Sequence, residues 1–297
     1  MIPTDSDGSD SLPRRSFPAG TRAASGWALA RLTALYTIAL PCALYAQTVS
    51  LRIGPPVGET LRMRLDQRVE MTGTTRVQGG DSTAAVVTTL LVISRAFVER
   101  RDQEATIVVA YTDSAAASST GADSAIIAAE TRRALQGKRV RLRIAPDGAT
   151  EIVDRDPGDP NLNALFAQMP ATLPSGEVEV GESWSRAMVA PLADAPAGGG
   201  KLEATFRLDS LSRDRETAYV SLVGTLSRPP RAKRGAGPTI TMSGSMTGAL
   251  VMDRRLGWVT EARTAYVVRS VVTPPPGSSS AALRFRMKVT QWMRAVR

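Results

Sequence analysis

Residues able to do chemistry are scarce in this chain, and its one cysteine is among them. Cys42 sits in "RLTALYTIALPCALYAQ", from Arg31 to Gln47, and no histidine occurs anywhere in the 297 residues. The absence of imidazole removes the usual general base and the commonest transition-metal ligand. There are four lysines, Lys138, Lys201, Lys233 and Lys288, and none stands three residues after a serine. No Gly-x-Ser-x-Gly elbow is present either, so the common serine-nucleophile patterns are missing. A carboxylate pair is the hydrolytic chemistry that remains. The composition therefore points to a non-enzymatic protein, with a carboxylate-based hydrolase as a distant alternative.

The neighbours of Cys42 decide what it is for. Arg14, Arg15, Arg22 and Arg31 precede an apolar run from Leu32 to Leu40, then come Pro41 and the small residue Ala46. Basic, apolar and small in that order is a secretory signal peptide. The run falls well short of the ~20 residues that cross a bilayer as a helix. Lipidation needs Leu three residues before the cysteine and a small residue directly before it, whereas Ala39 and Pro41 hold those places. "RRSF" at Arg14 resembles a twin-arginine export motif, but the apolar run begins too far beyond it. Residues 1–46 thus read as a leader with a polar N-terminal extension, cleaved before Gln47 with Leu44 and Ala46 at the recognised positions. The expected product is periplasmic or extracellular, has no transmembrane anchor, cysteine or histidine, and carries a net charge of about +8.

"DRDPGDPN" gathers Asp154, Asp156, Asp159 and Asn161, oxygen ligands of the kind calcium takes. Their spacing does not fit a calcium-binding loop, and Asp159 reads as a helix N-cap. No metal or cofactor is expected.

The elements that must position any site follow from a period of two. In "LRMRLDQRVEM", Leu61, Met63, Leu65, Val69 and Met71 alternate with charged side chains, which is a half-buried antiparallel strand. "KRVRLRI" (138–144), "TITMSGSMTGALVM" (239–252) and "LRFRMKV" (283–289) repeat the pattern. Further strands are expected around 86–98, 105–111, 202–208, 218–226 and 259–272, with turns at Arg213–Glu216, Ala145–Gly148 and Arg254–Gly257. Gly244 and Gly248 mark places where the sheet bends or another backbone comes close. Two helices are expected: one from Ser124 to Gln136 capped by Asp123, and one from Asp159 to Met169 with Leu162, Leu165, Phe166 and Met169 on one face. The fold class is mainly β (α+β): a single domain over 47–297, built on a large curved antiparallel sheet or open half-barrel with two short helices on its concave side.

Methionine recurs on the apolar phase at Met63, Met71, Met242, Met246, Met252, Met287 and Met293. Such pliable side chains suit varied apolar partners. Together with Leu165 and Phe166 they form a candidate apolar ligand face, and plain core packing is the competing reading. Trp184, Trp258 and Trp292 read as core anchors. The opposite phase carries Arg62, Arg64, Arg68, Arg139, Arg141, Arg143, Arg284 and Arg286, a solvated face or an anion-binding one depending on which strands are neighbours. Nucleic acid is not an expected partner, since no aromatic residues are interleaved with the charge.

The strings "VGETLRMRL", "ALQGKRVRLRIAPDGATEIVD", "VEVGESWSRAM" and "SGSMTGALVMDRRLGWV" resemble a family of uncharacterised exported bacterial β-rich proteins. In arrangement, from Val57 to Arg297, they are also similar to the periplasmic lipoprotein-carrier half-barrel. That resemblance implies a protein holding acyl chains or another apolar ligand between sheet and helices, and it transfers no site residue. The expected function is an exported envelope protein binding a hydrophobic or lipid-like ligand. The alternative is a structural or interaction module with a solid core and an Arg-rich contact face, including the basic loop Arg231–Arg234, toward an envelope protein partner. Intact mass spectrometry of exported material checks the leader: the expected chain begins at Gln47 and lacks a thiol, whereas a chain starting at a diacylated Cys42 contradicts it.

Overall fold

The computed structural model describes residues 48–77, 80–120, 124–154, 172–189, 200–228, 238–275 and 277–296. The chain divides into two units, Met1–Leu44 and Tyr45–Arg297, and every described residue belongs to the second. In order the elements are β1 (Val49–Ser50), β2 (Thr60–Val77), β3 (Gly80–Arg101), β4 (Thr106–Ser119), α1 (Ser124–Leu135), β5 (Arg139–Ile144), β6 (Thr150–Asp154), β7 (Glu177–Val178) and β8 (Ser183–Val189). They continue as β9 (Lys201–Leu211), β10 (Thr217–Arg228), β11 (Thr239–Asp253), β12 (Trp258–Thr273) and β13 (Leu283–Ala295).

Eleven of these strands form one antiparallel sheet in the order β6-β5-β4-β3-β2-β13-β12-β11-β10-β9-β8, while β1 and β7 pair as a separate ribbon. The sheet is not closed, and β6 and β8 are its edges. Two meanders meet at its centre: β2 to β6 runs outward on one side, and β8 to β13 returns on the other. Their seam is the pairing of β2 with β13, in register from Leu283↔Thr75 to Ala295↔Met63. The alternation read from the sequence sits on these strands, and the three expected turns join β9 to β10, β5 to β6 and β11 to β12.

Residues directly opposite one another in adjacent strands share a face. The register puts Met63, Met71, Met242, Met246, Met252, Met287 and Met293 on the same side as Leu250, Val268 and Val289. This core face packs around Phe206, Leu208, Val220, Leu222, Val108 and Leu142, and Leu51, Ile53, Leu173 and Val178 from outside the sheet complete the cluster. Trp184 of β8 stacks on Phe206 with centroids 5.8 Å apart, which makes it and Trp258 the core anchors expected of them.

The rolled sheet is pinned where its edges approach. Thr172 and Leu173 donate their backbone N–H groups to the Asp147 carbonyl in the β5–β6 turn. Their own carbonyls accept from Trp184 Nε1 at 2.9 Å and Arg186 Nη2 at 2.5 Å, both on β8. The segment before β2 adds a second tie: Ile53 N–H bonds to Pro146 and Gly54 N–H to Gly257. Gly257 has φ 66° and would bring a Cβ to 2.8 Å from the Gly54 carbonyl, so both its conformation and that approach call for glycine.

α1 covers residues where the first helix is expected and lies on the core face, with Leu135 against Ala115, Leu90 and Val92. The expected second helix, including Leu165 and Phe166, lies outside the described residues, as do Asp123, Asp156, Asp159 and Asn161. Two elements went unanticipated, β1 and β7, whose hydrophobic pattern is too brief to show a period, while β6 and β8 follow the Ala145–Gly148 turn and the strand start at Trp184. Among the described residues no helix is long and apolar enough to cross a membrane.

Gly244 and Gly248 do what the sequence implied. A Cβ on Gly244 would stand 2.5 Å from the Val267 carbonyl oxygen, and one on Gly248 would collide with the Arg263 carbonyl. Gly248→Val therefore forces β11 and β12 apart. The expected loss is about 1–3 kcal/mol, measured by urea unfolding, with a control at exposed Thr247 close to neutral.

Candidate functional site

The face opposite the core carries the charge, and its side chains line up in rows across the strands. One row reads Ala116–Leu91–Asp66–Trp292–Arg263–Ala249, and the next reads Ser118–Thr89–Arg68–Thr290–Ala265–Thr247. Both rows, with Ala117, Leu90, Gln67, Gln291, Thr264 and Gly248 between them, line a depression of about 880 Å³. It runs across six adjacent strands, β4 to β11, as a trough perpendicular to them. Five inter-strand spacings of about 4.8 Å give it a length of roughly 24 Å.

Local sequence explains the hollow. Where it crosses β4 and β11 the side chains are small: Ala116, Ala117 and Ser118, then Thr247, Gly248 and Ala249. Longer side chains stand on the strands between, among them Leu91, Asp66, Arg68, Trp292 and Arg263. The small residues leave room for a ligand body, and the close β11–β12 approach at Gly248 fixes one end of the trough beside them.

The central polar groups are held by one another. Trp292 Nε1 donates to Glu261 Oε1 at 2.9 Å, and the same oxygen accepts from Arg263 Nε at 2.7 Å. The guanidinium carbons of Arg263 and Arg294 lie 4.7 and 3.9 Å from the Trp292 ring centroid, within cation–π range. Arg64 grips Asp66 through two bonds of 2.8 and 2.7 Å, and Arg68 bonds Glu70 at 2.8 Å. These hydrogen bonds hold the Asp66 carboxyl below its ordinary value, Arg64 acting first and Arg294 adding a weaker Coulombic pull. Glu70 is lowered likewise, by Arg68 and then Lys288.

Trp292 is the correction to the sequence reading. Its even position on β13 puts it opposite Asp66 on the charged face, whereas the core-facing residues of that strand are Met287, Val289 and Met293. A large aromatic invites a core assignment, but its phase within "LRFRMKVTQWM" already pointed outward. None of the methionines lines the trough. Met63, Met246 and Met252 are 7%, 6% and 1% exposed and belong to the core, whereas Met71 is 42% exposed beside the half-buried Met287. The arginine set divides as well: Arg64, Arg68, Arg141 and Arg143 have carboxylate partners, Arg139 lies over the Tyr111 ring, and Arg284 and Arg286 stand together on β13.

The fold and trough define an open antiparallel-sheet protein with a transverse surface groove. A model described as a family of unknown function (DUF6263) matches residues 147–259, from the β5–β6 turn to the start of β12. No curated protein matches the chain.

A carboxylate with a lowered value contributes stability above the ordinary aspartate value of 3.8, and that contribution is lost as pH falls through the lowered folded value. An NMR titration of the Asp66 carboxyl is expected to show its midpoint below 3.8. Arg64→Ala is expected to bring it back toward that value.

Proposed function

We propose that the protein is an exported, non-enzymatic component of the cell envelope that holds an amphipathic, lipid-like ligand in the transverse trough. The trough carries this reading: its volume lies in the range of small-molecule sites, about 300–1,000 Å³, and a few polar groups converge on a floor that is otherwise small and uncharged. The ligand's apolar body lies along Ala116, Leu91, Ala249 and Ala265. An anionic end meets the guanidinium groups of Arg68 or Arg263. Export and envelope location rest on the leader. The open eleven-stranded sheet with a helix on its core face also supports a likeness to the lipoprotein-carrier half-barrel.

Non-enzymatic function fits Asp66, which lines the trough, and Glu261, which holds Trp292 beside it. Asp66 and Glu261 each sit 2.7 Å from an arginine nitrogen, and Asp66 is lowered, while a general acid at neutral pH needs a raised value. The buried Met63, Met246 and Met252 favour a second reading, a solid-core interaction module.

The trough reading is tested by uptake of parinaric acid, followed by its fluorescence and by quenching of tryptophan emission. Ala116→Trp and Ala249→Trp fill the two ends without touching a charge, and each is expected to weaken uptake at least about tenfold, consistent with steric loss of a fitted chain. Unchanged uptake in both filled variants, or none by the unaltered protein, sinks the trough as the site and leaves the interaction module.

A further inference from the structure

On the charged face, next to the rows of Asp66 and Arg68, three more rows follow. From β2 to β11 they read Glu70–Lys288–Val267–Ser245, Thr72–Arg286–Arg269–Ser243 and Thr74–Arg284–Val271–Thr241. Arg269, Arg284, Arg286 and Lys288 are exposed, and Arg269 is directly opposite Arg286. Like charges at opposed positions destabilise a sheet. Elsewhere on this face Arg62 is opposite Arg95 and Arg64 opposite Arg294. In each of those pairs, however, one arginine has a carboxylate, Asp113 for Arg95 and Asp66 for Arg64, and Arg68 pairs with Glu70, Arg141 with Glu99 and Arg263 with Glu261. Among the described residues no carboxylate lies within ion-pair distance of Arg269, Arg284 or Arg286. Glu70 is the one carboxylate of these rows, and Arg68 holds it at 2.8 Å.

We propose that Arg269, Arg284, Arg286 and Lys288 form a docking face for an anionic lipid surface. The charge calls for an anion, and a broad sheet face presents it to a plane of phosphates rather than to one group. Val267 and Val271, half-buried, lie directly opposite Lys288 and Arg284 and place apolar surface between the cations, as an interfacial layer of headgroup and acyl chain demands. Four cations reach the low end of the basic clusters, about four to eight residues, that hold proteins to anionic leaflets. The three rows contain no aromatic side chain on which a base could stack. The docking face is separate from the trough residues, so filling the trough leaves it intact and the two readings fail independently.

Cosedimentation of the purified protein with vesicles of phosphatidylglycerol and phosphatidylcholine in equal parts tests the proposal, with pure phosphatidylcholine vesicles as reference. The expected result is binding to the anionic vesicles alone, weakening as salt rises. R269S/R284S/R286S/K288S is expected to lower the partition coefficient on the order of 1,000-fold, and R284S/R286S about thirtyfold. R141S/R143S removes the same charge as that double variant from paired positions and is expected to change it less than about threefold. Thermal unfolding confirms that each variant is folded, and the double variant serves if the quadruple one is not. The proposal is overturned by unchanged partition in R284S/R286S, by an equal loss in R141S/R143S, or by equal binding to phosphatidylcholine alone. Patch-dependent binding of soluble tripolyphosphate, or of an acidic protein, without vesicle binding overturns it as well.

Discussion

Every long-range feature of the structure depends on the ladder between β2 and β13. It is the one neighbour pair in the large sheet whose strands do not follow one another in sequence among the sheet's members. From Leu283↔Thr75 to Ala295↔Met63 it joins residues more than two hundred positions apart. Without it the two meanders would be separate sheets with exposed central edges, which is the condition natural sheets avoid. A slip of one residue would turn Met71 and Met287 outward and bring charged side chains into the core. The alternation of both strands, broken on the apolar phase by Gln67 opposite Gln291 and on the other by Trp292, holds the register against such a slip.

With the centre fixed, the far edges remain. The sheet solves them without closing: the Asp147 carbonyl, Thr172, Leu173, Trp184 and Arg186 form a bridge of hydrogen bonds across the gap, and Leu173, 1% exposed, plugs it. Backbone groups that would face an empty seam find partners there, as burial requires. The core is thus concentrated at the end of the strands that carries the β5–β6 and β11–β12 turns. Farther along, both faces of β2, β12 and β13 stay half-exposed, and the trough lies in that region.

Much of this architecture was legible in the sequence because strand alternation is a local signal. "LRMRLDQRVEM" and "KRVRLRI" show their strand and their buried face together, and Asp-Gly and Leu-Gly mark turns that the structure retains at Gly148 and Gly257. Gly244 and Gly248 were legible for the same reason, as small residues on an apolar phase. The trough was not legible. It needs Ala116 of β4, Trp292 of β13 and Ala249 of β11 in one row, and that row exists only through five successive registers, none encoded in a short window. The division of the arginines was hidden likewise: Arg141 finds Glu99 and Arg286 meets Arg269 only through strand neighbours. Trp292 shows the limit of reading residue type before phase.

The strand order has one more implication. Because the end of β13 and the start of β2 lie side by side, with Val296 N–H bonded to the Arg62 carbonyl, the sheet is a cyclic shift of a plain up-and-down meander. Read from β8 through β13 and on through β2 to β6, every strand would follow its neighbour in sequence. A chain rejoined at that point and opened between β6 and β8 would keep every ladder of the large sheet while shortening the loops that its assembly must close. The present connectivity is therefore one of two ways of threading the same open order of strands.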